Sequence, residues 1–344
     1  MAEFVKAPVI ILRADGGAQI GLGHAMRALA LAHILSGVCQ VALATRMMPD
    51  VLKERYRACG AEVVDLSSVE VIHEPEFICQ QVPDASIIIM DGYGFNAEYQ
   101  SMMGSAGMRV VVVDDMGGDN FSADMIINHS PGVQSQDYRV LDQTHLCLGL
   151  DYAILQPVFI NQGSAKEESS SGHVFLNMGG ADPQNMTAMV LEALKHVPVI
   201  SRIDVVVGGV NQHFDKLAKM ADQNFGLIRL HHDLTPEQMA RLMRSADVGV
   251  CPSSTVAIEA CACTLPLIVG WLVDNQYSIY RGLVKRELAL GVDDLNHFDE
   301  ALFVDQVTSL MSDNMLSAHI RNKQISTFSG SSAINLRRCI LGCN

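Results

Sequence analysis

The chain has no apolar run of the ~18–20 residues that a membrane-spanning helix needs; its longest, Thr264 to Val273, is ten residues. Its opening, MAEFVKAPVII, lacks the pattern of a cleavable signal peptide. Cations are scarce: 24 Lys and Arg stand against 38 Asp and Glu, a formal net charge of −14. No nucleic-acid partner is expected, because phosphate-backbone binding needs clustered excess cation, and no membrane insertion is expected. The nine cysteines are odd in number and show no CxxC pair, which points to reduced thiols and a cytoplasmic location. No repeat of 20–50 residues is present. Charged residues are only 18% of the chain and hydrophobic ones 49%, which excludes disorder. At ~150 residues per domain, 344 residues predict about two.

What is present is an alternation of two periodicities. Pro8–Arg13, Cys39–Ala44, Ser86–Met90 and Arg109–Asp114 are continuous apolar runs, as expected of parallel strands covered on both faces. Between the first two, His24–Leu35 carries Met26, Leu29, Ala30, His33 and Ile34 at helical spacing, and Gly37 follows as a stop. The second half repeats the scheme with strands at Val174–Asn177, Ile203–Val207, Leu227–Leu230, Val248–Cys251 and Leu267–Trp271. Asp182-Pro183 reads as an N-cap with proline at the first helical position, followed by a stripe of Met186, Met189, Val190, Ala193 and Leu194. Thr235-Pro236-Glu237-Gln238 is a capping-box pattern. The polar, aperiodic stretch 161–173 reads as a linker. The expected fold is α/β, two doubly wound Rossmann-like domains (1–160 and 174–344) facing across a cleft, with ligands at the carboxyl ends of the strands.

The loops at those strand ends carry the candidate chemistry. Arg13-Ala14-Asp15-Gly16-Gly17-Ala18-Gln19-Ile20-Gly21-Leu22-Gly23-His24 runs from strand to helix. No Gly-Lys-Ser/Thr follows, so it is not a P-loop, and His24-Ala25 interrupts a dinucleotide fingerprint. A histidine at a helix mouth is biased neutral and able to accept a proton, with Arg27 one turn on; the plainer alternative is a capping histidine. Cys251-Pro252-Ser253-Ser254-Thr255 ends a strand in small hydroxyls before a helix, a cradle suited to a diphosphate, with Glu259 a turn later placed to accept from a ribose diol. A simple Ser/Thr N-cap and a solvated glutamate fit that fragment equally well. Asn177-Met178-Gly179-Gly180-Ala181-Asp182 can bring backbone amides to a ligand, and Asp91-Gly92-Tyr93-Gly94 places a tyrosine on a strand-end loop. Asp274-Asn275-Gln276 offers amides for sugar hydroxyls and N-acyl groups. His231-His232-Asp233 has no second ligand pair, so no metal site is expected there.

With these residues in view, the sequence resembles a known family. Arg13-x-Asp15 and Ile20-Gly21-x-Gly23-His24-x-x-Arg27 are similar to the signature of the hydrolase of pseudaminic acid biosynthesis that removes UDP from UDP-2,4-diacetamido-2,4,6-trideoxy-β-L-altropyranose. Asp91-x-Tyr93-Gly94, Gly179-Gly180-x-Asp182-Pro183-x-Asn185, Ser254-x-x-x-x-Glu259-Ala260 and Asp274-Asn275-Gln276 fall in that family's order. Ser253–Pro266 also resembles the nucleotide-sugar domain of the peptidoglycan N-acetylglucosaminyltransferase, a relative with the GT-B fold. The resemblance implies an inverting, metal-independent UDP-sugar hydrolase without a cofactor, whose last helix crosses back to the first domain; the sequence is silent on oligomeric state, and a monomer is the expectation. It assigns His24 as the group that activates water, with Tyr93 and Asn275 beside it in the catalytic set. Arg13, Asp15, Gly23, Arg27, Gly179, Gly180, Ser254, Thr255, Glu259 and Gln276 would bind substrate. Gly16-Gly17-Ala18, where members often carry serines, and Ile258, where many have tryptophan, depart from the pattern and bear on substrate preference. Two other functions suit the same fold: a glycosyltransferase using a hydroxyl acceptor, and a non-catalytic nucleotide-sugar sensor.

Overall fold

The computed structural model describes residues 8–17, 20–118, 120–160 and 171–342. They divide into two compact units: the described residues up to Pro157 together with those from Ser331 onward, and Val158–Gly330. In the first unit the strands are β1 (Val9–Ala14), β2 (Gln40–Thr45), β3 (Glu62–Asp65), β4 (Ala85–Asp91), β5 (Arg109–Val113), β6 (Met125–Asn128) and β7 (His145–Leu148). They form one parallel sheet in the order β3-β2-β1-β4-β5-β6-β7. The second unit holds β8 (His173–Leu176), β9 (Arg202–Val207), β10 (Ile228–His232), β11 (Val248–Pro252), β12 (Leu267–Trp271) and β13 (Leu290–Asp294). Their order is β10-β9-β8-β11-β12-β13, again all parallel. Each sheet reverses its winding beside its first strand, between β1 and β4 and between β8 and β11, and such switch points open a crevice at the strand carboxyl ends. Both units are doubly wound α/β sheets, as the apolar runs predicted.

The runs become central strands because both faces are covered. β1 is buried at every position, and the helix Gly23–Leu35 lies on one face with Ala25, Leu29, Leu31, Ile34 and Leu35 all at 1% exposure or less. Each such leucine or isoleucine contributes ~1.5–3 kcal/mol by leaving water. The helix Ser332–Leu341 packs on the same cluster through Leu336 and Ile340. Four strands carry no apolar run long enough to announce them: β3, β6, β7 and β13 are four or five residues each. Three of them stand at sheet edges, where one side faces water and polar residues interrupt the pattern.

The capping box at Thr235 forms as expected. The reading of Asp182-Pro183 needs correction. The helix begins at Met186, with Asn185 as its N-cap in left-handed backbone (φ 56°). Asp182, itself at φ 41°, caps that helix from a distance: its carboxylate accepts from the amides of Met186 at 2.8 Å and Thr187 at 2.9 Å. A turn rather than a helical start occupies 182–185. Met189, placed on the buried stripe by spacing, is exposed. Of the stretch read as a linker, 161–170 lie outside the described residues and His173 is the buried first residue of β8.

Candidate functional site

In the first unit the candidate residues gather at the switch point. β1 leads through the glycine loop into the helix Gly23–Leu35, which puts His24 at its second position, while β4 ends on Asp91. Nδ1 of His24 lies 2.7 Å from Oδ1 of Asp91. An ionised carboxylate only accepts, so in the neutral ring this contact puts the proton on Nδ1 and the lone pair on Nε2; Nη2 of Arg27, 3.1 Å from the same nitrogen, donates to Asp91 instead. Asp91 is 1% exposed and also accepts from Arg27, at 2.8 Å from Nε and 2.6 Å from Nη2. Burial would raise the Asp91 carboxyl, but Arg27 and then His24 hold it below the usual carboxylate range. Burial would likewise pull the Arg27 guanidinium down; Asp91 and then Asp115 hold it well above the ordinary arginine value. Arg27, expected on the sugar, is therefore a buried strut between two carboxylates, donating to Asp115 at 3.1 Å.

Asp115 follows β5, accepts from the Tyr93 hydroxyl at 3.3 Å through Oδ2, and keeps its buried Oδ1 without a partner. The exposed Tyr93 ring stands edge-on to His24, 4.7 Å between centroids. His24, Arg27, Tyr93, Asp115, Phe95 and Phe121 are among the residues around a cavity of about 180 Å³. Asp91 and Asp115 are the residues that sequence reasoning left without a role. Their signal was a carboxylate closing an apolar strand, in Ser86–Asp91 and in RVVVVDD, beside the histidine loop. His129, one residue beyond β6, adds a buried imidazole that burial lowers to about 3. It accepts from the amide of Ile154 at 3.2 Å.

Arg13 and Asp15, expected to bind substrate, are held by protein partners. Arg13 is 2% exposed, paired with Glu74 (3.2 Å) and Asp15 (2.9 Å), and its guanidinium covers the Phe95 ring at 4.7 Å. Asp15 accepts from the amides of Arg46 (2.6 Å) and Met47 (3.2 Å) and from the hydroxyl of Thr45, tying the β1 loop to the β2 loop. Gly23 opens the helix with free space where a Cβ would stand, whereas a Cβ on Gly16 would meet that of Ala25 at 2.7 Å.

In the second unit the candidates lie after β8, β11 and β12, three adjacent strands. Gly179 takes φ +94° and donates its amide to the Asn177 side chain at 3.0 Å. The Gly180 backbone comes so near Gly208 that a Cβ on the latter would meet the Gly180 carbonyl oxygen at 2.6 Å. Ser253 donates to the Gly270 carbonyl at 2.6 Å, which fastens the end of β11 to β12. Ser254 is the N-cap of the helix Thr255–Ala262, and its hydroxyl bonds no helix amide. The first amides of that helix thus face the strand ends unbridged by the cap side chain, the arrangement that receives anions. Glu259, one turn in, is half-buried and its carboxyl is pushed by burial up to about 8. Asn275 and Gln276 sit in the first turn of the helix Asp274–Lys285; Gln276 accepts from the Leu272 amide at 2.8 Å and so shapes the β12 loop.

No family model matches the chain. An uncharacterized protein of Methanocaldococcus jannaschii is 24% identical over 308 residues, 86% of this chain but only 62% of that protein's length. The spore coat polysaccharide biosynthesis protein SpsG of Bacillus subtilis is 23% identical over 312 residues, 87% of this chain and 88% of its own. Among solved structures, Acinetobacter baumannii MurG superposes with TM-score 0.67 at 13% identity, covering 97% of this chain and 99% of that one. The chain has the GT-B fold. A second GT-B structure, the spinosyn rhamnosyltransferase SpnG complexed with thymidine diphosphate, gives TM-score 0.64 at 16% identity, over 96% of this chain and 99% of that one. Among the described residues no helix is long and apolar enough to cross a membrane.

Proposed function

We propose that this GT-B protein hydrolyses a UDP-activated 2,4-diacetamido-2,4,6-trideoxyhexose of the altropyranose type at the anomeric C–O bond, releasing UDP and the free sugar. The observation that carries the reading is the Asp91–His24 pair beside its cavity: Nδ1 is held as a donor, so Nε2 is left as a base. Nε2 takes a proton from water, the water oxygen bonds the anomeric carbon, and the C–O electron pair leaves with the diphosphate. Asp91 stabilises the imidazolium that forms. UDP is a good leaving group, so the reaction lacks the need for the two carboxylates of ordinary glycosidases. In the second unit, Ser254 and the amides opening the helix Thr255–Ala262 suit a diphosphate, with Glu259 on the ribose. Asp115, with its spare oxygen, accepts from a donor on the sugar.

The B. subtilis relative's role in spore coat polysaccharide biosynthesis supports a place in sugar biosynthesis, and thymidine diphosphate in SpnG supports a nucleoside diphosphate ligand. Eight free thiols among the described residues support a cytoplasmic location. Glycosyl transfer is the second reading, favoured by the glycosyltransferases among the fold neighbours.

Turnover of the altropyranose UDP-sugar in ¹⁸O-water tests the proposal. The label is expected in the free sugar, with unlabelled UDP. Label in phosphate overturns C–O cleavage, and turnover only with an added hydroxyl acceptor makes the protein a transferase. His24→Ala is expected to lower kcat by ~10²–10⁴-fold, the range of general-base action, with UDP affinity unchanged; full activity in that variant removes His24 from the mechanism.

A further inference from the structure

We propose that His145, Cys147 and Cys339 form a binding site for a thiophilic divalent cation, zinc foremost, that fastens the C-terminal helix to the edge of the first sheet. His145 and Cys147 are two residues apart on β7 and so point to the same face. The helix Ser332–Leu341 lays Cys339 over that face, with Sγ 3.9 Å from Nε2 of His145. The three donor atoms lie within 4.8 Å of one another, and no other grouping of this kind occurs among the described residues.

Those spacings suit a metal. Zn–S near 2.3 Å and Zn–N near 2.0–2.1 Å at tetrahedral angles put the donors roughly 3.6–3.8 Å apart, so side-chain rotation closes the gap. Two thiolates and an imidazole are the soft-to-borderline set that selects zinc over magnesium or calcium. Cys147 is fully buried, Cys339 half-buried and His145 exposed, which leaves the fourth position open to water on the histidine side. Arg109 and Tyr152 are the other ionisable groups beside the thiols. The Arg109 guanidinium donates to the carbonyls of Ile340 at 2.6 Å and Cys339 at 3.3 Å. Binding one Zn²⁺ releases two thiol protons and makes a centre of zero net charge, so Arg109 does not oppose it. His145 opens the edge strand β7, whereas His24 follows the far end of the central strand β1, so the site is separate from the proposed catalytic residues and does not rest on that function.

The test is titration of reduced, metal-stripped protein with Co²⁺ and then Zn²⁺. The expected result is one equivalent of cobalt with the intense visible bands and thiolate charge-transfer absorption of a tetrahedral sulfur-ligated ion, displaced by zinc, and a Tm that rises with zinc. His145→Ala and Cys339→Ser, neither residue fully buried, are expected to lose those bands and bind at least ~10-fold more weakly, since weakened outer support alone costs that much. X-ray absorption of the wild-type zinc complex, which needs no variant, is expected to count two sulfur neighbours and a histidine nitrogen. Absence of stoichiometric binding, unchanged bands in Cys339→Ser, or a Cys147–Cys339 disulfide in protein purified without reductant would each overturn the site.

Discussion

Asp91 does two jobs with one carboxylate: it orients His24 through Nδ1 and neutralises the buried Arg27. Asp91→Asn removes both. Loss of the orienting charge is expected to lower kcat by on the order of 10²–10⁴-fold, and the buried Arg27, left with Asp115 as its one carboxylate partner, to cost up to about 3–5 kcal/mol in urea unfolding. Retained activity would show that the histidine needs no carboxylate. Glu259 has the opposite character. Its carboxyl titrates near 8 when folded, against ~4.3 unfolded, so between those values the folded state holds the extra proton. Stability conferred by the neutral acid therefore falls as pH rises from about 4.5 to about 8. Glu259→Gln, which cannot ionise, is expected to gain in Tm over wild type across that window, read by thermal melts. If ribose hydroxyls donate to the carboxylate, UDP binding near neutral pH releases a proton. Calorimetry in buffers of different ionisation enthalpy would detect it, and equal heats would detach Glu259 from the ribose.

At the scale of elements, strand-to-helix turns decide where functional groups stand. Asp182 illustrates the limit of local reading: Asp-Pro has the chemistry of a helix start, but two further residues, Gln184 and left-handed Asn185, intervene before the helix. The carboxylate still meets the helix amides, by folding back across the turn. Asp182→Ala is expected to cost ~1–2 kcal/mol as a lost cap, with Asp182→Asn milder; equal urea midpoints for wild type and Asp182→Ala would dismiss the capping role. The glycine loop, by contrast, was legible as a strand-to-helix connection ending in His24, because glycines and a following apolar stripe are local signals. The partners of Arg13 were not. A strand-end arginine in a glycine loop looks like a ligand contact until Glu74, from 61 residues away, is seen to occupy it.

For the molecule as a whole, the first unit is completed by the distant helix Ser332–Leu341, whose Leu336 and Ile340 are fully buried in the same cluster as the helix Gly23–Leu35. Leu336→Ala is expected to cost about 2–5 kcal/mol, with amide exchange hastened in both helices; an unchanged melt would mean that the helix adds little. Periodicity and composition alone determined the α/β class, the two parallel sheets, most central strands and the loops bearing His24, Tyr93, Gly179, Ser254 and Asn275, since each follows from residues near one another in the chain. Strand order, the short edge strands, the burial of Arg13 and Arg27 and the pairing of His24 with Asp91 were decided only by the tertiary structure. Those features join groups tens of residues apart, and other tertiary contacts reach further, as where Arg337 donates to the carbonyl of Ile34, 303 residues away. A charge becomes a strut or a ligand contact according to what packs beside it, and that neighbour is supplied by the fold.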